Sequence, residues 1–141
     1  MSDVQTGGRT VVTSRGARRA QPDGEERATA PRNEVVLVGR VSAAAEEREL
    51  PSGDLLVSWR VVVDRPPPRR PTPEGVRLPT SDVVVCVAWS TRVRRTAASL
   101  SVGDVVQVTG ALRQRFWRAG GSLGSRTEVE VETLRRLARA G

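Results

Sequence analysis

Apolar and polar residues alternate along residues 104–131, and this alternation predicts a long β-hairpin. The first arm puts two sets of side chains on opposite faces: Val106, Val108, Leu112 and Phe116 on one, and Thr109, Ala111, Arg113, Arg115 and Trp117 on the other. Such alternation is typical of a strand with one face in a core. The tip, residues 118–125, is glycine-rich and polar, which predicts a flexible connection. The second arm alternates again, with valines against glutamates.

Three further strands and one helix are predicted before the hairpin. Residues 33–41 are apolar on both faces, which is typical of a strand that is central or covered by a partner, and Gly39 there indicates a bend or a close backbone approach. Residues 54–64 place Trp59 on an apolar face, which favours the core. Residues 82–89 form the third strand, and a short helix capped by Ser90 or Thr91 follows. Residues 42–49 are interpreted as a polar connection, and residues 133–141 as a short helix or a frayed end.

The predicted order is three strands, a short helix and two more strands. This is the layout of the OB-fold, a five-stranded Greek-key barrel, so we predict an all-β protein of that class. The barrel domain is expected over residues 33–136 and a C-terminal tail over 137–141. Residues 1–32 have little periodicity and are predicted to be a disordered arm, which either adds phosphate contacts or is a solvated tail.

Charge adds a functional indication to this fold. The 141 residues carry a formal net charge of +7, and every basic residue is arginine. Arginine suits phosphate recognition because its planar fork donates two hydrogen bonds at once, although a GC-rich coding bias also favours it. The positive excess lies in residues 65–81, with four arginines against one acid, and in residues 111–141, with seven against three. The first of these segments is proline-rich and is either a stiff linker or a phosphate-contacting loop.

The sequence offers little for catalysis. It has no histidine, no paired carboxylates and no metal-ligand cluster, so we expect neither an enzyme nor a cofactor. The single cysteine, Cys86, lies in an apolar run and is predicted to be a buried core residue rather than a reactive thiol. No apolar run is long enough to span a membrane, and no signal peptide is recognisable. We expect a cytoplasmic, nucleoid-associated protein.

Several segments, taken in order and spacing, resemble the bacterial single-stranded DNA-binding protein family over roughly residues 33–136. They are NEVVLVGRV at 33–41, PSG at 51–53, VVVD at 61–64, DVVVCVAW at 82–89, SVGDVVQVTG at 101–110, LRQRFW at 112–117 and TEV at 127–129. The resemblance implies an OB-fold that wraps single-stranded DNA without sequence preference during replication, repair or recombination. It also implies a homo-oligomer, usually a tetramer, with a dimer as the alternative.

The resemblance assigns base stacking to Trp89, at the end of the third strand, and to Trp117, in the hairpin. Two departures accompany it. Val83 stands where the family often has another stacking aromatic, and the sequence lacks the acidic C-terminal tail through which the family recruits repair and replication partners. From the missing tail we expect a specialised paralogue rather than the main housekeeping protein.

Binding a single strand needs positive charge for the backbone and aromatic surfaces for the bases. Trp117 lies on the polar face of the hairpin, which favours stacking, whereas Phe116 points the opposite way and is predicted to be core. Arg113 and Arg115 either contact DNA or pair with Glu130 and Glu128 across a symmetric hairpin. The complete set of candidate DNA-binding residues is Trp89, Trp117, Arg113, Arg115, Arg118, Arg126, Arg40, Arg60, Arg69 and Arg70.

The remaining arginines of this set are chosen for different reasons. Arg118 and Arg126 flank the hairpin tip and lack an obvious partner. Arg40 and Arg60 are lone arginines on apolar or neutral strand faces, and Arg69 and Arg70 belong to the proline-rich loop. Two alternative functions stay open: an RNA-binding OB module, and an OB-like subunit whose hairpin pairs with another protein.

Overall fold

The computed structural model describes residues 24–141. Its contacts divide the chain into residues 1–32 and residues 33–141. The elements are α1 (Gly24–Thr29), β1 (Val35–Glu49), β2 (Leu55–Asp64), β3 (Ser81–Ala88), α2 (Thr91–Ala98), β4 (Val105–Ala119) and β5 (Ser122–Ala138). The arm predicted to be disordered lies mostly outside the described residues, and its described part includes the helical turns of α1. Neither α1 nor α2 is long and apolar enough to cross a bilayer.

The five strands close into a barrel in the order β1-β2-β3-β5-β4. All neighbours are antiparallel except β3 and β5, which pair in parallel at Cys86–Val129 and Val87–Glu130. The chain makes this parallel pair by passing through α2 and β4 between β3 and β5. The predicted five-stranded OB-fold, with its helix between the third and fourth strands, is confirmed.

Alternate residues of the strands fill the barrel with valines around one tryptophan. Trp59 is 2% exposed and lies opposite Cys86, which is fully buried. Both residues are therefore core, as predicted, and burial raises the pKa of the Cys86 thiol to about 12. The helix α2 contributes Val93 and Ala97 to the same core. Its predicted cap is confirmed, because the Ser90 hydroxyl accepts a hydrogen bond from the backbone nitrogen of Val93.

The first strand is longer than the sequence pattern indicated. Residues 42–49, interpreted as a polar connection, continue β1 and pair with β2 down to Glu49–Leu55. Two register shifts, beginning at Val41 and at Ala43, bend the strand and break the alternation that would have revealed it. Upstream of these shifts, a Cβ at Gly39 would collide with the carbonyl oxygen of Val62, so β1 approaches β2 as closely as only glycine allows.

The C-terminal segment is also a strand, so the helix or frayed end predicted for residues 133–141 is wrong. β5 pairs with β4 as far as Ala138. A register shift leaves Glu132 without a directly opposite residue, and the inward positions move from Val131 to Leu134, which packs on the core. Because the inward residues change from odd-numbered to even-numbered positions, the sequence alternation is interrupted and the segment does not look like a strand.

Asp104 fastens this end of the barrel. Its carboxylate is 2% exposed and accepts hydrogen bonds from the backbone nitrogens of Ser101 and Ala140 and from Nε of Arg136. These donors hold the pKa of Asp104 below its usual value, chiefly through the two backbone hydrogen bonds. The preceding Gly103 has φ of +97°, a left-handed conformation that favours glycine, and so completes the turn into β4.

Candidate nucleic-acid interface

The hairpin of β4 and β5 extends well past the barrel. β1 pairs with β4 only between Val105 and Gly110, so beyond that point the hairpin is largely a two-stranded ribbon. Pairing continues to Ala119 and Ser122, and only Gly120 and Gly121 form the turn. Both glycines have positive φ, 56° and 87°, which is the geometry of a tight type I′ hairpin turn. The connection predicted over residues 118–125 is therefore mostly paired strand.

The hairpin has two distinct faces. The outer face continues the outside of the barrel and carries Ala111, Arg113, Arg115, Trp117, Gly124, Arg126, Glu128 and Glu130. The inner face continues the side that lines the core and carries Leu112, Gln114, Phe116, Arg118, Leu123, Ser125 and Thr127. The predicted division of the first arm into an arginine-tryptophan face and an apolar face is thus correct.

Trp117 is an exposed platform on the outer face. Its indole packs against Gly124 of the opposite strand, where a Cβ would lie 2.5 Å from Cε2 and 2.6 Å from Nε1. Glycine therefore makes the room that the ring occupies. The side chain still leaves 44% of its surface exposed. A ring supported from below by backbone and open on the other side is suited to stacking on a base.

Arg113 and Arg115 form ion pairs with Glu130 and Glu128, which was one of the two alternatives that the sequence left open. Nε of Arg113 lies 2.8 Å from Oε1 of Glu130, and Nη1 of Arg115 lies 3.4 Å from Oε1 of Glu128. The expected register is wrong, however, because Arg113 stands directly opposite Glu128 and Arg115 opposite Arg126. The pairs run diagonally across the ribbon, a reach that long side chains achieve.

Glu128 is shared between two arginines. It is only 4% exposed, and its other oxygen, Oε2, lies 3.4 Å from Nε of Arg126. Arg126, expected to lack a partner, therefore has one. Each guanidinium has five N–H donors and uses few of them here, so donors remain for a phosphate. Glu128 and Glu130 hold these arginines in position and cancel part of their positive charge.

The other candidate arginines differ in their surroundings. Arg40 is not alone, since it donates to Asp64 at 2.9 Å and 3.4 Å, and these hydrogen bonds lower the pKa of the Asp64 carboxyl. Arg118 is exposed and forms no salt bridge with any described residue, in agreement with the prediction. Arg69 and Arg70 are exposed in the loop between β2 and β3.

A groove of about 760 Å³ crosses the outer surface of β2 and β3. Arg60, Val85 and Val87 line its floor, with Arg126 of the hairpin at one side. The bent second half of β1 contributes Glu46 and further residues to the groove lining. Sequence reasoning missed this lining because it interpreted the segment as a connection, although it did identify Arg60 and Arg126.

Trp89 lies far from Trp117. It follows the last residue of β3, is 39% exposed, and its carbonyl oxygen accepts a hydrogen bond from Nε of Arg94. Because β3 and β5 run in parallel, Gly124 lies towards the start of β3 and Trp89 lies beyond its end. At about 3.3 Å per residue, the separation along the strands is on the order of 25 Å. The two tryptophans are separate surfaces, not one cluster.

Phe116 is exposed, so its predicted place in the core is wrong. It lies on the inner face as expected but is 57% exposed, because the barrel ends before the ribbon reaches it. Strand length was the available signal: β4 has 15 residues and β3 only 8, so much of β4 has to project. Val83, at the position where an aromatic was expected, is a 61% exposed surface residue.

Comparison with known proteins decides the family. The model of the single-strand binding protein family matches residues 32–137. The chain belongs to the single-strand binding protein family. Among its relatives, single-stranded DNA-binding protein 3 of Listeria innocua is 30% identical, over 74% of this chain and 63% of its own length. Single-stranded DNA-binding protein A of Bacillus subtilis is 31% identical, over 74% of this chain and 59% of its own.

This family member spans less than two thirds of the length of those two relatives. A solved structure titled as a Plasmodium falciparum SSB complex with ssDNA superposes with a TM-score of 0.60, covering 76% of this chain and 96% of the other. At 21% identity the likeness establishes the shared fold. The resemblance predicted from the sequence segments is thereby confirmed.

Proposed function

We propose that this protein binds single-stranded DNA without sequence preference, by stacking bases and neutralising phosphates, during replication, repair or recombination. The observation that carries the proposal is the outer face of the hairpin, where Trp117 lies open against Gly124 among arginines. Membership of the single-strand binding protein family and the names of its relatives, which describe DNA-binding proteins and not enzymes, support it.

Stacking supplies the part of the affinity that tolerates any base. Every base has a π-face, and one base–aromatic stack contributes about 1–3 kcal/mol. Trp117 and Trp89 are the two half-exposed tryptophans, and their wide separation suits a strand that is held at more than one point along its path. Trp59 is buried and takes no part in binding.

Phosphate neutralisation is divided unequally among the arginines. On the outer face, Arg113, Arg115 and Arg126 are offset by two glutamates, so they orient a phosphate more than they attract it. Arg60 in the groove, Arg118 at the hairpin end, and Arg69 and Arg70 in the loop have no salt bridge among the described residues and supply most of the attraction. Arg40 contributes less because Asp64 holds it.

Tryptophan fluorescence titration with oligo-dT at several salt concentrations tests the proposal. We expect quenching on binding and an affinity that falls as salt rises, since bound arginines release counterions from the backbone. Matched RNA and duplex DNA are titrated in parallel. Unchanged emission at low salt with excess oligonucleotide would refute DNA binding, and tighter binding to RNA would redirect the proposal to an RNA-binding module.

The proposal includes a homo-oligomer, a dimer or tetramer, acting on nucleoid DNA in the cytoplasm. Val36 and Val38 support self-association, because they lie on the outer surface of β1 and are 64% and 48% exposed. Light scattering after size exclusion should give a mass of two or four chains. Replacing both valines with glutamate should shift the mass towards one chain, and a single-chain mass for the unaltered protein would contradict the oligomer.

A further inference from the structure

The inner face of the hairpin is a surface that the proposed binding mode does not yet use. Leu112, Phe116 and Leu123 lie on it and are 48%, 57% and 66% exposed. Phe116 stands opposite Ser125, a small side chain that leaves the ring uncovered. An aromatic ring this open on a projecting ribbon is not explained by packing, because the barrel core ends before it.

The two faces of the hairpin differ in charge. The outer face holds three arginines and two glutamates joined in salt bridges. The inner face from Leu112 to Thr127 carries no acidic residue, and its one charged group, Arg118, has no salt bridge with any residue in the described part of the chain. An unpaired guanidinium attracts a phosphate without a competing carboxylate. The inner face therefore suits an anionic, base-bearing ligand.

The tip between the two faces is unobstructed. Gly120 and Gly121 form the whole turn, and a Cβ built on either one would meet no atom within 4 Å. An extended polymer can therefore pass from one face to the other around a tip that has no side chains. Trp117 and Phe116 are adjacent in sequence and point to opposite faces, so such a polymer would meet one aromatic on each side.

We propose that the inner face is a second contact surface for single-stranded nucleic acid, with Phe116 stacking on a base and Arg118 holding a phosphate, so that the strand embraces the hairpin from both sides. This inference rests on the proposed function and extends it to a face that was expected to be core. The competing occupant is the apolar surface of another protein chain, which would use the same leucines and phenylalanine without needing an aromatic plane.

Three substitutions at position 116 test whether the inner face binds nucleic acid or another protein chain: Phe116→Ala, Phe116→Leu and Phe116→Trp. Stacking on a base requires an aromatic ring, so the alanine and leucine variants should both lose fivefold or more in affinity for oligo-dT, while tryptophan preserves it. Arg118→Ala should also flatten the dependence of affinity on salt. Leucine restoring full affinity, or alanine leaving it unchanged, would overturn the inference. Thermal melting of each variant checks that the exposed substitution leaves the fold intact.

Photocrosslinking to an iodouracil oligonucleotide provides an independent readout. A stacked ring crosslinks, and because Trp117 lies on the same peptide, fragment sequencing should place the nucleotide on Phe116 itself in the unaltered protein and still do so in Trp117→Ala. The Trp117→Ala variant distinguishes a failure of this inference from a failure of the proposed function. If it weakens binding and Phe116→Ala does not, the inference fails while the proposed function stands. If the unaltered protein ignores oligo-dT, the proposed function itself fails.

Discussion

Trp59 and Trp117 occur in the same Trp-Arg dipeptide, each on an alternating strand, yet one is 2% exposed and the other 44%. Trp59 lies in β2, which has β1 on one side and β3 on the other, and its ring enters the closed barrel. Trp117 lies where β4 has lost its pairing with β1 and only β5 remains beside it. The face that the ring occupies and the number of neighbouring strands, not the local dipeptide, decide whether a tryptophan stabilises the fold or faces a ligand.

Replacing Trp59 should have the largest effect, and that effect is on stability. Trp59→Ala leaves a cavity among buried valines and should lower the free energy of unfolding by about 3–5 kcal/mol. Its indole nitrogen is buried without a hydrogen-bond partner among the described residues, so the loss is one of packing. Chemical denaturation measures it. Trp117→Ala is the matched control and should change stability by less than about 1 kcal/mol; equal losses would abolish the distinction between the two tryptophans.

Trp117→Ala should instead weaken binding to oligo-dT by about 5–150-fold, equivalent to the about 1–3 kcal/mol of one stacked base. Trp117→Phe keeps an aromatic plane and should retain most of the affinity. Fluorescence anisotropy with a labelled oligonucleotide provides the measurement, independently of the tryptophans. An unchanged affinity in Trp117→Ala would remove the outer face from the binding surface.

A smaller loss is expected from Gly124→Ala, which leaves Trp117 in place but takes the space under its ring. The new methyl group would lie within van der Waals overlap of the indole and should push it off the ribbon. Affinity should fall by less than in Trp117→Ala. In the Trp117→Ala background the glycine substitution should have no further effect on binding, and an additive loss there would show that Gly124 acts on DNA by another route.

The smallest expected effect is on stability at low pH and comes from protonation of Asp104. Because hydrogen bonds lower the folded-state pKa of Asp104, its contribution to stability is present above the usual value of 3.8 and is lost as the pH falls through the lower folded value. Urea midpoints from about pH 6 to about pH 2 should therefore decline less steeply in Asp104→Asn than in the unaltered protein. Parallel declines would mean that other carboxylates account for the acid sensitivity.

Sequence patterns predicted the barrel well because its central strands alternate regularly. They predicted residues 54–64 and 82–89 within one residue of β2 and β3, and Ser90, one of two candidates with Thr91, caps α2. They failed where a register shift reverses the alternation, in residues 42–49 and again after Val131. Alternation of apolar and polar residues identifies a strand only where every second residue points inward, and a bulge interrupts that regularity.

The candidate site was predicted less completely, for a different reason. Alternation tells which face a side chain occupies but not where the barrel ends, so Phe116 was assigned to a core that does not reach it. The arginine–glutamate pairs were one of two alternatives, based on a hairpin symmetric about its tip, and the actual turn position makes these pairs diagonal. The contact of Arg40 with Asp64 depends on the register between β1 and β2, which the bulges in β1 shift, and is not visible in either strand alone.

The two-glycine turn at Gly120 and Gly121 limits which insertions and deletions this hairpin can accept during evolution. Adding one residue to each arm lengthens the ribbon and keeps every existing partner across the ladder. Adding a single residue to the second arm reverses the faces of that arm only between the insertion and the tip, because the barrel holds Val129 and Val131 in place, and it would move Gly124 from under Trp117 to the side of Phe116. We therefore expect that length changes near this tip survive in even numbers, and that odd ones survive only when the extra residue is looped out.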